Sequence, residues 1–158
     1  MNLSKNFTLD EFVKSQSAIR KGIDNTPTPE VIAALTLVCE YILEPVRKNF
    51  KKPVKVSSGY RSPKLNAAIG GAKNSQHVLG QAVDFEVPGV SNYEVAKWVS
   101  ENCLFDQVIL EFYTHGDPNS GWVHASYNRS GNRFEKLTAT STKTTFGNKT
   151  VYSKGLNP

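Results

Sequence analysis

The chain has 158 residues, 39% apolar and 21% charged, a balance that suits one folded domain with its own core and excludes a chain disordered throughout. Its best apolar run, Val31 to Cys39, falls well short of the roughly 20 residues a membrane span needs, and Asp10 and Glu11 stand where the apolar stretch of a secretory leader would begin. Charge is split unevenly: residues 1–127 carry 13 basic and 13 acidic side chains, so the whole formal excess of +5 lies in residues 128–158.

In chain order, Thr8 and Glu11 form a capping-box pattern that predicts a short helix from about Leu9. Residues 22–29 are turn-rich. Thr28-Pro29 reads as an N-cap and first helical residue, opening the longest helix, whose Val31, Leu35, Val38, Ile42 and Val46 share one face. Pro45 predicts a kink or an end near Leu43. Val54 to Ser58 alternates like a half-buried strand, and Ser62-Pro63 opens a short helix that Gly70-Gly71 closes. Gln81 to Val87 reads as a strand with Ala82, Asp84 and Glu86 on one face and Val83, Phe85 and Val87 on the other. Ser91 and Glu94 start a helix carrying Val95, Trp98 and Val99. Asp106 to Phe112 and Trp122 to Tyr127 are two further strands, and Gly147-Asn148, between Thr-rich stretches, signals a hairpin.

Helices first and strands later imply an α+β fold: a single domain with N-terminal helices packed on a mostly antiparallel sheet. Residues 1–127 form its core, and residues 128–158 are expected to form a basic extension, a β-hairpin packed on the same domain. Cys39 and Cys103, far apart in helix-like segments, read as buried thiols rather than a disulfide.

The chemistry concentrates in residues 75–84. His77 lies in a glycine-containing loop just before a strand, and Asp84 projects from that strand between Val83 and Phe85, where a carboxylate is costly to bury without a cation. Trp122-Val123-His124 places a second histidine in another apolar strand. Two His and one Asp on or beside strands would suit Zn²⁺ with a fourth position open to water; hydrogen-bonded structural histidines are the other reading of the same residues. His115, in a polar loop, is expected to face solvent.

Ser-x-His-x-x-Gly-x-Ala-x-Asp at residues 75–84, followed by Trp-Val-His at 122–124, resembles the M15 family of zinc peptidases, the D-Ala-D-Ala carboxypeptidases and endopeptidases of peptidoglycan. Ser58-Gly59-Tyr60-Arg61-Ser62, Phe105 to Ile109, Phe7 to Phe12 and Leu43 to Arg47 extend the likeness, which is nearest the compact, phage-lysin-like branch. The resemblance implies one Zn²⁺ per chain held by His77, Asp84 and His124. It implies that Arg61 grips a substrate carboxylate or a developing oxyanion, where the residue alone could equally bond carbonyls at the start of a helix. Ser75 could bond substrate or loop backbone. Several members place a Glu three residues before the last His, but this sequence has Gly121 there. Glu111, at the end of a strand expected to run beside the Trp122 strand, is then the first choice of general base, with an exposed or His-supporting role as the other reading and Asp117 in reserve. Asp106 and Gln107 are expected to be structural or supporting.

The expected function is zinc-dependent hydrolysis of an amide bond in peptidoglycan stem peptides, by a carboxypeptidase or a lysin-like endopeptidase. The alternative is a zinc-stabilised wall-binding module without turnover. The acidic Asp10 and Glu11 lead to the expectation of a product made in the cytoplasm without a signal peptide, and a monomer is expected; the resemblance further implies action on the cell wall as a phage lysin or virion-delivered enzyme. The basic tail either favours anionic wall or membrane surfaces or is a solvated hairpin with ordinary lysines; nucleic acid is not an expected partner, because Phe134, Phe146 and Tyr152 come with no recognised motif and no dense Arg cluster.

Overall fold

Side-chain caps decide where most helices of this protein begin. In the computed structural model, which describes residues 1–158, helix α1 (Asp10–Val13) follows Thr8, whose N–H donates to Glu11 Oε2 at 2.7 Å. The Thr8 hydroxyl donates to the same carboxylate instead of capping the helix, so only the Glu11 half of the expected capping box forms. Helix α2 (Gln16–Lys21), which the apolar pattern does not announce, runs from Ser15, accepting from the Ala18 N–H, to Gly22. Thr28 caps α3 (Pro29–Val38) as expected. Pro45 does not end this helix. Cys39–Leu43 widens into a π-turn in which the Glu44 N–H reaches back to the Cys39 carbonyl, and α4 (Glu44–Phe50) carries on. The wider turn makes room for a ring that has no N–H to give and would crowd the preceding carbonyl.

Strand β1 (Lys55–Ser58) is followed by α5 (Pro63–Ala68), capped by Ser62, and by a 3₁₀ turn over Gln76–Leu79. Then come β2 (Ala82–Glu86), α6 (Asn92–Asn102) capped by Ser91, β3 (Gln107–Glu111), β4 (Trp122–Ser126), β5 (Glu135–Thr144) and β6 (Gly147–Lys154). The six strands make one sheet in the order β1-β2-β4-β3-β5-β6, antiparallel throughout except for the parallel β3–β5 pair. The fold is therefore α+β with a mostly antiparallel sheet, as the element order implies. No helix is long and apolar enough to cross a membrane.

Alternation divides the sheet into two chemically different faces. Val83, Phe85, Val108, Leu110, Val123 and Ala125 meet Leu35, Val38, Ile42, Val95 and Val99 of the helices in one apolar core. Cys39 is buried in the π-turn, and Cys103 sits half-buried just beyond α6 rather than inside it. Both thiols are free, and burial pushes them up to about 12 and about 11 respectively.

The C-terminal hairpin turns earlier than its glycine suggests. Gly147 and Asn148 already pair with Thr144 and Lys143, so Thr145 and Phe146 make the turn. Neither has positive φ; Gly147, at φ 118°, supplies the left-handed step just after the turn instead of within it. From Thr140 to Val151 the ribbon is exposed on both faces, with Phe146 at its tip 100% exposed.

What ties this segment down is Asp106, only 1% exposed. Its carboxylate accepts from Arg133 N–H, Nε and Nη2 at 2.8–3.2 Å and from Gln76 Nε2 at 2.9 Å, bridging the C-terminal segment to the turn that carries His77. Burial works against the charge, but the bonds to Arg133 and Gln76 prevail and hold the carboxyl below the usual aspartate range. A folded carboxyl that titrates below its unfolded value of about 3.9 stabilises fully above that pH, and its contribution is lost as pH falls through the lower folded value. Asp106→Asn is expected to cost about 2 kcal/mol at neutral pH, lowering Tm by roughly 4–8 °C. It should also flatten the acid limb of the stability curve. Thermal melts at graded pH check both, and an unchanged neutral Tm would show that the clamp contributes nothing.

Candidate metal centre and cleft

On the polar face of the sheet, the β2–β4 register sets Asp84 directly across from His124. His124 Nδ1 lies 3.0 Å from Asp84 Oδ1. His77 arrives from the 3₁₀ turn, where Ser75 Oγ accepts its N–H at 3.2 Å and its carbonyl accepts the Arg61 N–H at 3.1 Å. His77 Nδ1 donates to the Gly59 carbonyl at 2.7 Å, which leaves Nε2 as the unprotonated nitrogen, 3.4 Å from Asp84 Oδ2. A backbone acceptor on one ring nitrogen is the usual device for fixing which nitrogen faces a metal. Both histidines are buried, at 3% and 8% exposure.

The three donor atoms lie within 4.8 Å of one another. His124 Nδ1 lies 3.0 Å from one Asp84 oxygen and His77 Nε2 3.4 Å from the other, close to the ~3.3 Å expected between ligands on a tetrahedral zinc with bonds of ~2.0–2.1 Å. Two imidazole nitrogens and one carboxylate oxygen are a donor set that suits Zn²⁺, and three protein ligands would leave a fourth position for water. Burial opposes ionisation of Asp84, yet the neighbouring His124 and His77 imidazoles win and hold its carboxyl far below the usual range.

The cleft over this cluster is a cavity of about 450 Å³ that brings Arg61, Ser75 and Glu111 together with His77, Asp84 and His124. Burial, then the neighbouring Asp84 charge, pushes the Glu111 carboxyl up to about 7, while His124 and Arg61 pull the other way. Arg61 is half-buried, with its Nε enclosed and unpartnered; its one side-chain bond is a long 3.4 Å contact from Nη2 to Ser75 Oγ. The guanidinium therefore donates to no carbonyl at the start of α5. Ser75 serves the loop backbone and also lines the cleft. Asp117 stays outside, in an exposed loop where its carboxylate accepts the Asn119 N–H, and His115 lies exposed in the same loop, as expected. Trp122, Arg133 and Tyr152 also line the cavity. The last two come from the C-terminal segment, and no local motif marks them.

Position 121 shows why no glutamate stands there. Gly121 has φ 66°, and a Cβ on it would collide with the Glu111 carbonyl oxygen and lie 2.7 and 2.8 Å from the Phe112 backbone. Phe112 itself takes a left-handed φ of 55°, and its ring rests on Trp122 with centroids 5.4 Å apart. The backbone of the strand that carries Glu111 fills the space a side chain at 121 would need.

A family model described as Peptidase M15 matches residues 5–126. The chain belongs to that family. It is 34% identical over 80 residues to a zinc D-Ala-D-Ala carboxypeptidase of Streptomyces albus G, a match that covers 50% of this chain and 30% of that relative.

Gly121→Ala is expected to destabilise the fold by about 1–3 kcal/mol through the left-handed φ and the collision with Glu111. Urea unfolding measures this; an unchanged midpoint would mean the two strands can move apart there freely.

Proposed function

We propose that this M15-family chain is a zinc peptidase that hydrolyses an amide bond in the stem peptide or cross-link of bacterial peptidoglycan. The observation that carries the reading is the convergence of the His77-Asp84-His124 cluster with the Glu111 carboxylate and the Arg61 guanidinium in one cavity. His77 Nε2, Asp84 and His124 Nδ1 would hold the metal. Zinc bound there would supply Lewis acidity toward the scissile carbonyl and a water acidified toward neutral pH. Glu111 takes the proton of the attacking water and returns it to the leaving amine, a role its raised pKa suits. Arg61, with an unpartnered Nε, pairs with a substrate carboxylate or with the oxygen on which charge develops. Ser75 holds the turn and reaches toward Arg61.

A zinc-stabilised binding module without turnover would draw its support from the absent glutamate at 121. Glu111 occupies the cleft in its place, which favours catalysis. The lysin role, action on the wall and the attraction of the basic ribbon for anionic wall polymers or lipid headgroups belong to the same reading. They are supported by the likeness to the compact branch and by the placement of Lys143 and Lys149 on an exposed ribbon.

Purified protein is expected to carry about one zinc per chain by mass spectrometry, and to release new amino groups from peptidoglycan only without chelator. Zinc with no release would favour the binding module; no zinc after metal is supplied would overturn the site. Glu111→Gln should lower kcat by about 10²- to 10⁴-fold with zinc content unchanged, and retained activity would remove Glu111 as the base. Lys143→Gln with Lys149→Gln should weaken co-sedimentation with purified walls chiefly below ~0.1 M salt; equal binding there would remove the ribbon from wall attraction.

A further inference from the structure

A second cavity, about 860 Å³, adjoins the metal cleft and shares Arg61 with it. Its floor is β1, an edge strand of the sheet: Lys55 to Ser58 pair with β2 on one side, and on the other no strand follows. Its far wall is the chain around α1 and α2, including Lys14 and Gln16. Two features give this space a chemistry. An edge strand presents backbone donors and acceptors that an extended peptide can pair with, the mode known as strand addition. The charge around it is positive: Lys14, Lys55 and Arg61 line the cavity and none forms a salt bridge, while Glu11, the lone acid on its wall, spends its carboxylate on the Thr8 N–H and hydroxyl. The strand floor is also coupled to the metal cluster, because Ser57 Oγ donates to the Asp84 carbonyl at 3.2 Å and Gly59 holds His77.

We propose that this cavity is a second substrate subsite. An extended, acidic segment of the substrate peptide lies along the free edge of β1 and places a carboxylate within reach of Lys14 and Lys55, while the scissile bond lies past Arg61 over the metal cluster. The inference rests on the peptidase reading above and deepens it. A cleft that continues beyond Arg61 has room for substrate peptide on that side of the scissile bond.

The test uses two synthetic stem peptides that share a free C-terminus but differ in their internal carboxylates, free in one and carboxamides in the other. Binding is measured by calorimetry on zinc-loaded Glu111→Gln protein, where cleavage does not intervene. The carboxylate peptide is expected to bind about tenfold tighter than the amide, with the difference shrinking in ~0.5 M salt. Lys14→Gln with Lys55→Gln, in the same background, should abolish the difference while the amide peptide binds as before; circular dichroism confirms that these exposed substitutions leave the fold intact. Equal affinity for the two peptides, or a preference that survives the lysine substitutions, overturns the subsite. Turnover by the unsubstituted protein is read separately: carboxylate-dependent binding without cleavage supports the subsite and sinks the peptidase reading, and cleavage without carboxylate preference does the reverse.

Discussion

A carboxylate pinned between two imidazoles on the polar face of a central strand is the arrangement on which the rest of this structure depends. Asp84 has core residues on either side of it in sequence, and only the two-residue alternation of β2 turns it away from them. The β2–β4 register then decides everything. Asp84 faces His124 because Val83 faces Ala125 and Phe85 faces Val123, all of them core residues. A slip of one residue would pair Asp84 with Val123 or Ala125 and put it on the opposite face from His124, with one of the two in the apolar layer, so the hydrophobic core enforces the geometry of the candidate metal site. His77, which belongs to no strand, is held to the same point by three bonds to Gly59, Arg61 and Ser75, each from the neighbouring loop or its own turn.

The same packing explains where the candidate base stands. β3 lies between β4 and β5, so the Glu111 side chain rises from the interior of the sheet and not from its rim. Burial and the nearby Asp84 carboxylate both favour its neutral form, and Arg61 and His124 moderate them. A bound dication would shift that balance toward the ionised form. Gly121 and the left-handed Phe112 are the cost of this placement: strand β3 ends in an abrupt turn, and its backbone presses on the start of β4.

Much of this was legible because its causes are local. Thr28, Ser62 and Ser91 cap the helices they were expected to open, and the strands around Asp84, Glu111 and His124 fall within a residue of the alternating patterns. Asp84 stood out as a charge among core residues. What escaped has causes far away in the chain or below the resolution of a pattern. Helix α2 is too short to show apolar periodicity, although Ser15 and Gly22 bracket it as cap and stop. Pro45 signals a disturbance, but whether a helix ends or widens depends on the core that holds Ile42, Leu43 and Val46 in line. The parallel β3–β5 pairing, the Asp106–Arg133 clamp and the presence of Tyr152 in the cleft all join residues whose proximity no local motif encodes.

That last group matters for how the cleft is made. The family match ends at residue 126, yet the first half of β5 lies against the whole of β3, pairing Glu111 with Ala139, and Ala139 in turn with Tyr152. The row Trp122–Glu111–Ala139–Tyr152 thus crosses four strands, with the smallest side chain beside the carboxylate and an aromatic at each end. Were β3 an edge, water would reach its backbone, and the burial that raises the Glu111 pKa would fall away. Residues beyond the matched region therefore contribute more than positive charge: they seat the strand of the candidate base inside the sheet and close one wall of the cavity above it, while the β1 edge, on the opposite side of the metal cluster, stays open. The cleft is therefore asymmetric, walled by Arg133 and Tyr152 on the C-terminal side and flanked on the other by β1, beyond which no strand lies.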